Sequence, residues 1–252
     1  MLTLPGITVA TPETETLFEK LGEAFMAAAL DAVEQRGVFH AALSGGGTPE
    51  PFYVRLVTDP KFRAIPWGET HIWVVDERRV PEDHNKSNMK MLREALTDHI
   101  PTPPDQVHPM PVLADDPAAT YEAAMEAAFG MKADGDDFPR LDFVLLGMGG
   151  DCHTASLFPE SPALRVGDRW IVENDGDKVV PPPRLTMTYP LLNAARQLVV
   201  LAVGPGKHAA LGRVHDLNEA GHVDAANVPI SGIEPTQGTL TWYVDHAAVG
   251  AE

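Results

Sequence analysis

Leu141-Asp-Phe-Val-Leu-Leu-Gly-Met-Gly-Gly-Asp-Cys-His153 decides how the chain is read. Leu141–Leu146 is almost continuously apolar, the pattern of a strand covered on both faces in a parallel sheet. It runs straight into three glycines, then an acid and a histidine. The same grammar recurs in both directions. Val38–Leu43 reads as a strand followed by Ser44-Gly45-Gly46-Gly47-Thr48 and a helix opening at Pro49. His71–Val75 is followed by Asp76-Glu77-Arg78-Arg79 and a helix over about Ser87–Leu96. Leu198–Val203 is followed by Gly204-Pro205-Gly206-Lys207 and a helix to about His215. Strands alternating with helices predict an α/β fold, a mostly parallel sheet with helices on both faces.

The remaining elements fit around this frame. Pro12–Arg36 has helical spacing in Leu17, Leu21, Phe25 and Ala28, with Thr11 as N-cap, Pro12 at N1 and Gly37 as terminator. Pro117–Phe129 is Ala-rich and helical, and Gly238–Val244 alternates as a last strand. Residues 97–113 and 132–140 read as loops, and residues 160–183 as a small excursion interrupted by Pro181-Pro182-Pro183. No linker divides the chain, so residues 1–252 are expected to form a single domain.

The 252 residues are 44% hydrophobic and 22% charged, a globular balance. The net charge of −17 opposes sequence-independent binding to nucleic acid and docking on anionic lipid. No apolar run reaches a membrane span. The first residues lack a basic, apolar leader, and the single cysteine, Cys152, fits a reducing compartment; a cytoplasmic protein is expected, as a monomer or small homo-oligomer. The ten histidines show no metal-ligand spacing, so no metal is expected.

All strand-to-helix loops of a parallel sheet emerge at its carboxyl edge, so the four polar segments are expected to converge there. Ser44–Thr48 offers hydroxyls and free amides to an anion, but matches neither nucleotide-binding glycine motif. Arg78 and Lys207 are candidate partners for phosphate, with Arg79 and Arg184 as further cations for such a pocket. His153 has the chemistry of a general base, with Asp151 or Asp76 to hold its imidazole. Cys152 reads as a packing residue rather than a nucleophile.

LSGGGTPEPFY (43–53), DERRVPEDHNKSNMKMLREAL (76–96), LDFVLLGMGGDCHTASLFP (141–159), RLTMTYPLLNAARQLVVLAVGPGK (184–207) and LTWYVDHAA (240–248) together resemble the 6-phosphogluconolactonase family. HTASLFP is the most specific of these, since the related glucosamine-6-phosphate deaminases carry different residues after the histidine. The resemblance implies a modified Rossmann-like fold and hydrolysis of a sugar-phosphate lactone, 6-phospho-D-glucono-1,5-lactone, with no cofactor or metal. It implies His153 as general base beside Asp151. It implies Arg78, Lys207 and the Ser44–Thr48 loop on the sugar phosphate. A deaminase or isomerase acting on glucosamine 6-phosphate, and a non-catalytic sugar-phosphate-binding module, are the competing readings. The chain departs from the family's Gly-Pro-Asp-Gly-His at Gly149-Gly150-Asp151-Cys152-His153. If the replaced glycine has positive φ, Cys152 carries roughly 1–2 kcal/mol of strain.

Overall fold

The computed structural model describes residues 2–133, 137–175 and 183–251. From the amino terminus the elements are β1 (Ile7–Thr11), α1 (Thr14–Arg36), β2 (Phe39–Leu43), α2 (Glu50–Thr58), β3 (Thr70–Val74), β4 (Asp76–Arg78), α3 (Asn88–Ala95), β5 (Val107–His108) and α4 (Pro117–Phe129). They continue with β6 (Phe143–Gly147), β7 (Ile171–Asn174), β8 (Arg184–Met187), α5 (Tyr189–Asn193), β9 (Gln197–Ala202), α6 (His208–Glu219), β10 (Thr239–Asp245) and α7 (His246–Val249).

The apolar runs take the middle of the main sheet. Every residue of β2 is buried, as are four of five in β6 and five of six in β9. The seven strands lie in the order β1-β10-β9-β6-β2-β3-β5, and each neighbouring pair is parallel. From β2 the chain steps outward through β3 to β5. From β6 it steps the other way through β9 to β10. Right-handed crossovers of opposite direction place their helices on opposite faces. The order therefore reverses between β2 and β6. A parallel sheet opens a crevice beyond the carboxyl ends of its strands at such a reversal. Helix α1 buries Leu17, Leu21, Phe25 and Ala28 against this sheet, and the Phe25 ring meets Phe39 of β2 and Phe143 of β6 edge-on, each at 5.2 Å.

Several details differ from the sequence reading. Thr11 does not cap α1: it ends β1, paired with Asp245, and its hydroxyl donates to the Glu13 carbonyl. The helix starts two residues after Pro12, and the Thr14 hydroxyl donates to Asp245. Strand β1 itself has no local signal, because it is a half-exposed edge strand whose ladder is supplied by β10, more than 200 residues away. Asp76–Arg78 is not a loop but strand β4, and it joins β8 and β7 in a three-stranded antiparallel sheet. Of this sheet only β7 falls within the excursion expected at 160–183; Pro181 and Pro182, and part of the 132–140 loop, fall outside the described residues. The loop expected over residues 97–113 includes the two-residue strand β5, and α6 extends to Glu219.

Candidate active site

A cavity of about 390 Å³ opens at the β2/β6 reversal. Ser44, Gly45, Gly46 and Thr48 line it from beyond β2, Asp76 and Arg78 from beyond β3, Gly147 from the last position of β6 with Gly149 and His153 beyond it, and Lys207 from beyond β9. The convergence expected from the alternating pattern is therefore present. Gly47 does not line the cavity, because the loop turns it away between two lining neighbours. Arg79 is also turned away, donating to Glu173 at 2.9 Å.

The cavity is lined by three cations, Arg78, Arg184 and Lys207. Pairing of β4 with β8 sets Arg78 directly opposite Arg184. Like charges facing one another across strands are destabilising unless something lies between or beside them. Arg184 is only 6% exposed, with Nη1 3.8 Å from the Asp76 carboxylate. Burial lowers its pKa, Asp76 opposes that, and nearby Arg78 adds to it. Arg78 Nη1 donates to the Lys86 carbonyl at 2.8 Å and to Asn88 Oδ1 at 2.6 Å, while its buried Nε has no partner among the described residues. Lys207 Nζ donates to the Met148 carbonyl at 2.6 Å. The buried Ser44 hydroxyl likewise has no partner among the described residues.

Buried carboxylates hold these loops. Glu77 accepts from the amides of Arg78, Asn88 and Met89, each at 2.8 Å, and from the Ser87 hydroxyl at 3.0 Å. It thus clips the start of α3 to β4. Burial raises the Glu77 pKa against the lowering effect of those amides. Asp245 accepts from the Gly204 amide and from Ala248, fixing the turn that carries Lys207. Gly45 is required by close approach: a Cβ there would lie 2.0 Å from Asn88 Oδ1.

His153 lines the same cavity. Its Nδ1 lies 2.6 Å from Asp151 Oδ1, which also accepts the His153 amide at 3.1 Å. Burial raises the Asp151 pKa, but the charge and hydrogen bonds of His153 outweigh this and leave it lowered. An ionised carboxylate only accepts, so Nδ1 carries the hydrogen; in the neutral ring this tautomer leaves the lone pair on Nε2. The loop closes through Cys152 N to the Gly149 carbonyl and Gly149 N to the His153 carbonyl. A Cβ on Gly149 would lie 2.2 Å from His153 Nδ1, so this glycine makes room for the imidazole. Cys152 has φ 70°, the left-handed conformation that favours glycine, and its side chain is buried.

Of the two acids considered for the imidazole, Asp151 is the one bonded to it. Asp76 lines the same cavity but accepts from Ser156 Oγ at 2.6 Å and faces Asn88 and Arg184. Arg184 is only a subsidiary candidate in the sequence. Its place depends on a cross-strand pairing that no local pattern announces. Among the described residues no cluster of three or more His, Cys, Asp or Glu side chains has the arrangement of a metal site. Also among them, no helix is long and apolar enough to cross a membrane.

A family model described as glucosamine-6-phosphate isomerases/6-phosphogluconolactonase matches residues 12–242. A 6-phosphogluconolactonase of Synechocystis sp. is 43% identical over 220 residues, covering 86% of this chain and 86% of that protein. A solved 6-phosphogluconolactonase from Trypanosoma cruzi superposes with a TM-score of 0.81 at 24% identity, covering 99% of this chain and 97% of that one. A monomeric glucosamine-6-phosphate deaminase superposes with a TM-score of 0.75 at 19% identity, covering 98% and 100%. The fold alone therefore does not choose between the two chemistries.

Proposed function

The chain belongs to the glucosamine-6-phosphate isomerase/6-phosphogluconolactonase family, and from that premise we propose that it hydrolyses 6-phospho-D-glucono-1,5-lactone to 6-phosphogluconate. The observation that carries this reading is one cavity lined both by an Asp151-backed imidazole and by the cations Arg78, Arg184 and Lys207. A lactone that carries a phosphate calls on both kinds of group.

The 6-phosphate binds between Arg184, Arg78, Lys207 and the Ser44 hydroxyl, and its binding energy places the lactone ring. Water attacks C1 while His153 Nε2 removes its proton. Asp151 stabilises the imidazolium that forms. The new C1–O bond converts the carbonyl to a tetrahedral oxyanion, which calls for donors such as the loop amides. The oxyanion then collapses, the bond from C1 to the ring oxygen breaks, and His153 returns the proton to that oxygen. The net change is addition of one water, after which the new carboxylic acid ionises.

Glucosamine 6-phosphate presents the same phosphate group to these cations, so the test offers both substrates. Purified protein is expected to accelerate acid release from freshly prepared 6-phosphogluconolactone above the spontaneous rate and to release no ammonia from glucosamine 6-phosphate. Ammonia release without lactone hydrolysis makes the chain a deaminase. Phosphosugar-induced thermal stabilisation without turnover of either makes it a binding module.

A further inference from the structure

The short stretch from His153 to Phe158 folds back on itself. Thr154 and Leu157 form an isolated antiparallel bridge, and Leu157 N donates to the Thr154 carbonyl at 2.9 Å. Ala155, inside the turn, has φ 49°. The turn is tied to the second sheet, where Asn174 Nδ2 donates to the Ser156 carbonyl at 2.7 Å and the Ser156 amide donates to Thr186 Oγ1 at 3.1 Å. This anchored turn lays the Phe158 ring on the imidazole, with centroids 4.4 Å apart and planes inclined by 27°. The Arg184 guanidinium carbon lies 5.7 Å from the centroid of the same ring. Phe158 is 6% exposed and lines the cavity.

We propose that Phe158 is a positioning residue for the hydrolysis, holding the His153 ring in place and stabilising its cationic form through the π face. This rests on the reading of His153 as general base. The face of a benzene ring is electron-rich and attracts a cation within about 6 Å of its centroid. Imidazole becomes a cation when it takes the proton of the attacking water, so the attraction appears as the reaction proceeds. The ring also stands in contact with both the proton acceptor and one anchor of the phosphate. The charged groups around the imidazole are Asp151, in hydrogen-bond contact, and Asp76, Arg78, Arg184 and Lys207, which line the same cavity. None of them is removed by changing Phe158.

The test compares wild type, Phe158→Leu, Phe158→Tyr and His153→Ala across pH. Leucine keeps an apolar cover over the imidazole but has no π face, whereas tyrosine keeps the face. Phe158→Leu is expected to lower kcat about three- to tenfold and to move the acid limb of the kcat profile down by a few tenths of a pH unit. KM is expected to stay within about twofold, and Phe158→Tyr to restore both kcat and the limb. Thermal unfolding of each variant separates these effects from loss of the fold. A Phe158→Leu profile coinciding with wild type overturns the proposal, as does a Phe158→Tyr variant that behaves like Phe158→Leu. Wild-type activity in His153→Ala overturns instead the parent reading of His153, so the two failures are distinct.

Discussion

Two groups of histidines on the same sheet show how environment assigns chemistry. His153 stands at the carboxyl edge, partly open, with a carboxylate on Nδ1 and its other nitrogen free of that bond. His40, His71 and His108 lie within β2, β3 and β5, packed with Trp73 and Phe129. His40 stacks on Phe129 at 4.1 Å, and its Nδ1 accepts from the Trp73 indole at 3.2 Å. Burial, with the neighbouring His71 and His108, lowers the His40 pKa to about 3. Burial and His71 lower that of His108 to about 4 against the opposing pull of Asp105. These rings are neutral packing groups. An acid beside a ring makes a base whose cation is stabilised, whereas burial beside other imidazoles makes a ring that resists charge.

The contrast is broken or sharpened by substitution. The largest effect is expected at His153: alanine there lowers kcat by about 10²–10⁴, whereas His40→Gln leaves kcat unchanged, as read in a steady-state lactonase assay. Next comes Arg184→Ala, which removes a charge-assisted contact to the phosphate and is expected to raise KM about 10–100-fold with a smaller change in kcat. A KM within twofold of wild type removes Arg184 from the phosphate site.

Acid stability gives the third prediction. The folded pKa of His40 lies below its unfolded value near 6.5, so below that pH the unfolded chain binds more protons than the folded one. The penalty is absent above about pH 6.5 and grows as pH falls toward the folded value. At pH 5 it amounts to about 2 kcal/mol from His40. Urea unfolding of wild type is expected to weaken from pH 7 to 5, and His40→Gln, which keeps an acceptor for Trp73, to flatten that fall. The smallest effect is at Cys152, where Cys152→Gly is expected to be about 1 kcal/mol more stable than Cys152→Ala, because only alanine retains the cost of positive φ. Equal melting temperatures contradict that strain.

Much of this is legible in the chain. The buried strands announce themselves because parallel strands covered on both faces are apolar throughout, and the polar runs after them must share an edge. That logic brings Ser44, Arg78, His153 and Lys207 together without any contact being known. What escapes it depends on partners distant in sequence. Strand β1 exists because β10 lies beside it, and Arg184 reaches the cavity because β8 pairs with β4. The choice between Asp151 and Asp76 for the imidazole turns on Ser156, whose hydroxyl engages Asp76 instead. Cys152 is legible in part: the resemblance matches it to a glycine, and its φ of 70° is the conformation that glycine favours.

The central claim is that one cavity joins a hydrolytic imidazole to a phosphate anchor. The most direct measurement is kcat/KM of the wild-type protein for 6-phosphogluconolactone beside the same lactone lacking the phosphate, each corrected for spontaneous hydrolysis. The phosphorylated lactone is expected to be preferred by at least about 10²-fold, the scale of one or two charge-assisted contacts. Equal values for the two lactones, or no rate above the blank with either, contradict the account.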